Sequence, residues 1–433
     1  MKRYTVLIGL VLTVGACTPQ DAETTTNRFA TSTTKTITST TRSTAITTTT
    51  LGLDPTTTTT MPSGPPVAWI APSGVPMAVT AVNGDVIHVL TPCGAETSLS
   101  EGEPIHKVDV VLDPGHGGPI DTGAVGSTGL AEKDVNLRVA LEARDLLTDR
   151  EIAVMLTRTG DYPIPIRTRS AYSDMVDADA LVSIHHNAPS APSSDIPGVE
   201  IFIQEASSES MRLGGLLYES TMSALAEFQV DWARASDAGV MTVLNPEGED
   251  AYGMVRLPEA PSALIELGYI ANRPEAELQA TAEYVGIAAL AVADAVEAFL
   301  DSDAEGSGFV EGRVFRPNRG VGADQCIEPD LQLQLYPDVI DVEISGEDGV
   351  FGLDVTISSP YDSADRYADA WRVVGDDGVV YGVRELTHDH GNEQPFTRSM
   401  EGVEIPETVS TIVVEGRDQV YGWGGTAITL TLP

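Results

Sequence analysis

Two histidines and two glutamates stand in local contexts suited to metal-assisted hydrolysis. His116 follows the apolar run Val108–Leu112 in Asp113-Pro114-Gly115-His116-Gly117-Gly118, where a buried strand stops at a Pro/Gly turn and presents one imidazole. His185 ends a second apolar run, Ala180-Leu181-Val182-Ser183-Ile184-His185-His186-Asn187. In open α/β sheets the C-terminal ends of strands are where ligands bind. The chain has only 7 histidines, so two of them at such ends point to a shared task. Glu132 lies just before an amphipathic helix marked by Val135, Val139, Ala143 and Leu146. Glu266 interrupts a strand-like run in Ala263-Leu264-Ile265-Glu266-Leu267-Gly268-Tyr269.

Two imidazoles and one carboxylate, with a fourth position left to water, form a donor set for catalytic zinc. The ion brings the pKa of its water towards neutrality and polarises a carbonyl, and a further acid is then needed to move protons. His116, Glu132 and His185 suit the first role and Glu266 the second. Singly, each could be a turn residue, a first-turn helix acid favoured by the helix dipole, or a partnered structural carboxylate. His186 is expected to face away from His185, because strand neighbours point to opposite faces. Arg256, ahead of Pro258 and Pro261, is read either as a contact for substrate carboxylates or as a surface residue.

These segments resemble the zinc-dependent N-acetylmuramoyl-L-alanine amidases of bacterial cell-wall turnover. That family has a strand ending in Asp-Pro-Gly-His-Gly-Gly, a Glu opening the next helix, a Ser-Ile-His-x-Asn-Ala strand end, and a Glu-Leu-Gly-(Phe/Tyr)-Ile-x-Asn segment. All four occur here in that order, between Lys107 and Leu300. The resemblance implies His116, Glu132 and His185 as zinc ligands, Glu266 as the catalytic carboxylate and peptidoglycan as substrate. Some members carry an inhibitory helix near the site; the short stretch between His185 and Gly198 leaves no room for one. An inactive, wall-binding relative and a zinc amidase of another exported substrate are the competing readings.

Positioning these residues requires a sheet. Strand-like runs at Val108–Leu112, Ile152–Leu156, Ala180–Ile184, Val199–Ile203 and Ser262–Leu267 alternate with helical patterns, the last at Ala280–Leu300. The expectation is an α/β unit over 107–300, a mostly parallel sheet flanked by helices. Before it, Val67–His106 reads as a small β segment with a hairpin signal at Asn83-Gly84. After it, 309–433 alternates apolar and polar residues, as at Phe351, Leu353, Val355 and Ile357, and reads as an immunoglobulin-like β-sandwich. His388-Asp389-His390 lies there, its imidazoles placed on one face if the segment is a strand, with no third ligand evident.

The ends of the chain speak to location. Lys2 and Arg3 precede an apolar run from Val6 to Val14 and then Gly15-Ala16-Cys17. That run is too short to span a bilayer and reads as an export signal over 1–17, with Cys17 as a lipid-attachment site that ties the protein to a membrane. Residues 18–66, rich in Thr, cannot bury a core and are expected to form a disordered tether. The net charge of −39 excludes nucleic acid as an ordinary partner, since phosphates would be repelled. With Cys17 lipidated, Cys93 and Cys326 remain as an even pair in an oxidising compartment. They are expected to bridge the N-terminal β segment and the C-terminal sandwich; the alternative is two unpaired buried thiols.

Overall fold

The computed structural model describes residues 64–432 apart from 189–191, 236–237, 302–304, 311, 315–319, 348, 377 and 407. The export signal, Cys17 and nearly all of the expected tether lie outside the described residues.

The site is carried by a six-stranded mixed sheet. Its strands are β1 (Val110–Pro114), β2 (Val154–Leu156), β3 (Ala180–Asn187), β4 (Glu200–Ile203), β5 (Gly239–Met241) and β6 (Ser262–Tyr269), in the spatial order β5-β4-β6-β3-β1-β2. All neighbours run parallel except β4 and β6, which are antiparallel. Helices α1 (Glu132–Asp149), α2 (Ile166–Met175), α3 (Ser208–Leu225), α4 (Gly253–Arg256), α5 (Arg273–Gln279) and α6 (Ala282–Asp301) connect and follow them.

Both faces of this sheet are covered, which is why its strands read as nearly continuous apolar runs. On one face Val110, Leu112, Val182, Ile184 and Ile265 pack against α1, α3 and α6. On the other, Val111, Leu181, Phe202 and Leu264 share a core with Tyr172 of α2, Met254 of α4, and Met77 and Val89 of the N-terminal segment. That segment is a five-stranded antiparallel sheet spanning Ala68–Ile105. Its hairpin turns at Gly84-Asp85, with Asn83 paired to Val86 as the last strand residues. Gly84 has φ of 65°, which glycine adopts without cost, so the turn sits one residue later than the Asn-Gly pair alone suggests.

The C-terminal part contains a three-stranded and a four-stranded antiparallel sheet sharing one core around Val355, Trp371, Val373 and Val414. Its first strand is Asp338–Glu347 rather than a segment near 309. Before it the chain runs back over the α/β unit. Arg313–Val314 pairs with Val243–Leu244, and Asp161 N–H donates to the hydroxyl of Tyr336 at 2.5 Å. A disulfide joins Cys93 to Cys326 across a separation of 233 residues. It fastens the N-terminal sheet to this returning strap, not to the C-terminal sheets as the sequence led us to expect. His388 and His390 lie between strands rather than on one; buried His390 stacks on Phe396 at 3.9 Å.

Candidate metal centre

Strand alternation decides which side chains enter the site. Asp113, His185, Glu200 and Glu266 share the strand parity of Val111, Leu181, Phe202 and Leu264, and so rise from the same face. Register aligns them further: Glu200 pairs with Glu266, and Glu266 with His185, making one row across β4, β6 and β3. His186 has the opposite parity. It is buried between α1 and α6, its ring nitrogens 2.8 Å from Asn136 Oδ1 and 3.0 Å from the Tyr284 hydroxyl. Burial drives its pKa from 6.5 to about 3, so it is a neutral internal residue.

His116 reaches the row from the loop after β1. Its φ of 63° is unfavourable for a residue with a Cβ, and Gly117 and Gly118 continue the tight turn. Two buried arginines hold the loop by its carbonyls. Arg158 donates to Pro114 O (2.9 Å) and Gly115 O (3.0 Å), and Arg169 to Pro114 O (2.8 Å) and His116 O (2.6 Å). Arg169 is itself paired with Asp113 at 2.7 Å. Burial opposes ionisation of Asp113, but Arg169 and hydroxyls of Ser183 and Thr157 outweigh it and hold the carboxyl below its ordinary range. Gly115 leaves room for His185: a Cβ there would lie 2.2 Å from the ring's Cε1.

Glu132 is the first residue of α1, and its Oε1 lies 3.2 Å from His116 Nε2 and 3.0 Å from His185 Nδ1. Its Oε2 accepts from Ala124 N–H at 2.8 Å. The donor atoms of His116, Glu132 and His185 all lie within 4.8 Å of one another, and among the described residues no other trio of His, Cys, Asp or Glu is so placed. A residue that sequence reasoning missed completes the arrangement. Asp121 Oδ1 sits 2.6 Å from His116 Nδ1, so Nε2 is the nitrogen turned inward. A carboxylate on the far nitrogen of a ligating histidine fixes its tautomer and raises its basicity. One buried and two half-buried donors of these types, oriented this way, fit a divalent zinc-like ion.

The electrostatics match. Burial opposes charge on His116, yet hydrogen bonds to Asp121 and Glu132 prevail and lift its pKa to about 9. Burial also opposes charge on Glu132, but the two histidines hold it well below the usual carboxylate range. Glu266 has no such partners; burial, reinforced by Glu132 and Glu200, pushes it well above that range, and its Oε2 is enclosed without a hydrogen bond. Glu200, the other residue missed, accepts from Asn187 Nδ2 and from the Tyr269 hydroxyl at 3.2 Å, with Arg313 Nη2 3.7 Å away. His116, Asp121, Glu132, His185 and Glu266 line a cavity of about 250 Å³ together with Ile166, Tyr252 and Gly320.

The sequence profile of the N-acetylmuramoyl-L-alanine amidase family matches residues 110–298, the segment that builds this site. The protein YqiI of Bacillus subtilis (strain 168), itself uncharacterized, is 31% identical over 218 residues, covering 49% of this chain and 96% of that one. The chain belongs to the N-acetylmuramoyl-L-alanine amidase family. The family's N-acetylmuramoyl-L-alanine amidase AmiA of Escherichia coli (strain K12) is 28% identical over 221 residues, 44% of this chain and 75% of that protein. Among solved structures, amidase AmiC2 of Nostoc punctiforme is 28% identical with a TM-score of 0.38, covering 45% of this chain and 98% of that one. The family match ends before Arg313, Gly320 and Cys326, so the strap lies outside the matched segment.

Proposed function

We propose that this chain is a zinc-dependent peptidoglycan hydrolase that cleaves the amide between N-acetylmuramic acid and the L-alanine opening the stem peptide. What supports the reading is the convergence of His116, Glu132 and His185 beside a carboxyl of opposite character, Glu266, in a member of the amidase family. His116, Glu132 and His185 would hold the zinc, which would supply Lewis acidity towards water and the scissile carbonyl. Asp121 keeps the His116 ring in its donor tautomer. Arg158 and Arg169 keep the loop's carbonyls occupied, so the strained turn holds its shape.

Glu266 handles the proton. It is placed to accept a proton from the attacking water and return it to the departing amide nitrogen, and burial beside Glu132 and Glu200 raises its affinity for that proton. An inactive, wall-binding protein would be favoured by a missing donor, and all four residues are present. Residues 1–17 act as the export signal with lipid on Cys17, placing the enzyme outside the cytoplasm on a tether. The C-terminal sheets of three and four strands form an immunoglobulin-like sandwich. The test of function is digestion of purified peptidoglycan by the full chain, with products identified by mass spectrometry. Free stem peptides and peptide-free glycan are expected; products that all retain the muramoyl–peptide link would refute the reading.

A further inference from the structure

A second cavity, of about 820 Å³, continues from the metal centre: Ile166, Gly253 and Gly320 line both. Its composition is unusual for this chain. Acidic residues outnumber basic ones 64 to 25 overall, yet among the described lining residues none is Asp or Glu and two are arginines, Arg167 and Arg256. Arg167, in the first turn of α2, is exposed and has no ion-pair or hydrogen-bond partner among the described residues. Arg256 donates through Nη1 to the carbonyls of Asp250 (2.6 Å) and Ala251 (3.1 Å), and its nearest carboxylate, on exposed Glu249, is 3.9 Å away.

The groove's outer wall comes from outside the family-matched segment. Leu90, Cys93 and Gly94 of the N-terminal sheet form one part, and Gly320–Ala323 of the strap another. The Cys93–Cys326 disulfide ties these two parts together. Where the strap passes Gly320, a Cβ would approach Ile166 Cδ1 to 3.3 Å, so the strap lies close along the inner lip.

Resting on the amidase reading, we infer that this groove is the stem-peptide subsite and that Arg167 and Arg256 recognise the peptide's free carboxylates. On one side of the scissile amide the substrate is N-acetylated sugar, uncharged once its lactyl carboxyl is in the amide. On the other side it is a peptide carrying carboxylates. A groove whose described lining holds two arginines and no acid suits the peptide side, since guanidinium pairs with carboxylate through two parallel hydrogen bonds. The strap and disulfide turn an otherwise one-sided surface beside α2 and α4 into a walled subsite, so this chain selects for peptide as well as for the amide.

The test is a binding titration of soluble N-acetylmuramoyl pentapeptide to the full chain carrying Glu266→Gln, which suppresses turnover. The free-acid peptide is compared with one whose carboxylates are amidated. Amidation is expected to weaken binding about tenfold or more, as loss of charge-assisted hydrogen bonds at a partly exposed site implies. Arg167→Gln and Arg256→Gln should each weaken the free-acid peptide and leave the amidated one nearly unchanged. Arg256 also caps a turn, so Arg256→Lys, which keeps the charge but not the guanidinium fork, should retain part of the preference and bind the free-acid peptide better than Arg256→Gln. Equal affinity for the two peptides, or arginine variants that weaken both alike, would overturn the assignment. The unsubstituted chain is incubated with the same free-acid peptide in parallel. Carboxylate-dependent binding without hydrolysis there defeats the amidase reading and leaves the subsite standing. Hydrolysis without any carboxylate preference does the reverse.

Discussion

Replacing Asp121 by Asn tests whether the His116 pair is a metal-site device or a surface contact. The 2.6 Å contact joins a carboxylate and an imidazole that are both largely shielded, with side-chain exposures of 21% and 25%. Partners that orient a ligating histidine typically contribute 10–100-fold in metal affinity, about 1.4–2.7 kcal/mol. Two effects oppose each other in the variant. Losing the carboxylate loosens the ring and lowers its basicity, which weakens the metal. It also removes a contact that lifts His116 to about 9, so a proton competes less well. At pH 7 that competition costs the unsubstituted site up to about 100-fold in affinity, and near pH 9 it largely vanishes. The deficit of Asp121→Asn should therefore be about 10–100-fold near pH 9 and narrow towards pH 7. Chelator competition at both pH values reads it, with thermal unfolding as a check on the fold. Unchanged zinc affinity at pH 9 would refute the reasoning.

Two further outcomes follow from the geometry. Gly115→Ala should displace His185, since the added Cβ would lie 2.2 Å from its ring, and should weaken zinc binding roughly tenfold or more; a chelator competition showing unaltered affinity would contradict the packing argument. His186, with a folded pKa of about 3 against an ordinary 6.5, refuses a proton that the unfolded chain accepts. Its contribution is a loss of stability as pH falls from 6.5 towards 3, about 2 kcal/mol by pH 5. Denaturant unfolding at pH 7 and pH 5 should therefore show a smaller acid loss in His186→Gln than in the unsubstituted chain; equal losses would mean His186 does not titrate as described.

Much of the site is legible in the sequence because its signals are local. A strand that ends at Pro-Gly-His, or at Ile-His-His, announces both the element and the candidate ligand on its tip. Strand parity likewise sends His185 into the site and His186 into the core. Helix α1 begins at Glu132 itself, and Leu147 rather than Leu146 is the fully buried residue at its end. Asp121 and Glu200 escape notice for a different reason. Asp121 acts only because the loop folds back on His116, and Glu200 only because β4 runs antiparallel beside β6 and sets it opposite Glu266. The acid inside the apolar run Val199–Ile203 was the available signal, of the same kind that singles out Glu266. The strap is largely illegible for the same cause: the cysteine count pairs Cys326 with Cys93, but Arg313 and Gly320 gain meaning only from contacts with residues far earlier in the chain.

The division of labour between ligands and Glu266 is the centre of this account, and one paired measurement reaches it. Zinc content and muramoyl-peptide hydrolysis are determined on the same preparation of Glu266→Gln, beside the unsubstituted chain. With Glu266 moving protons and His116, Glu132 and His185 holding the ion, the variant retains about one zinc per chain and loses about 10²–10⁴ in rate. A variant that loses its zinc together with its activity, or one that keeps both, would contradict the assignment.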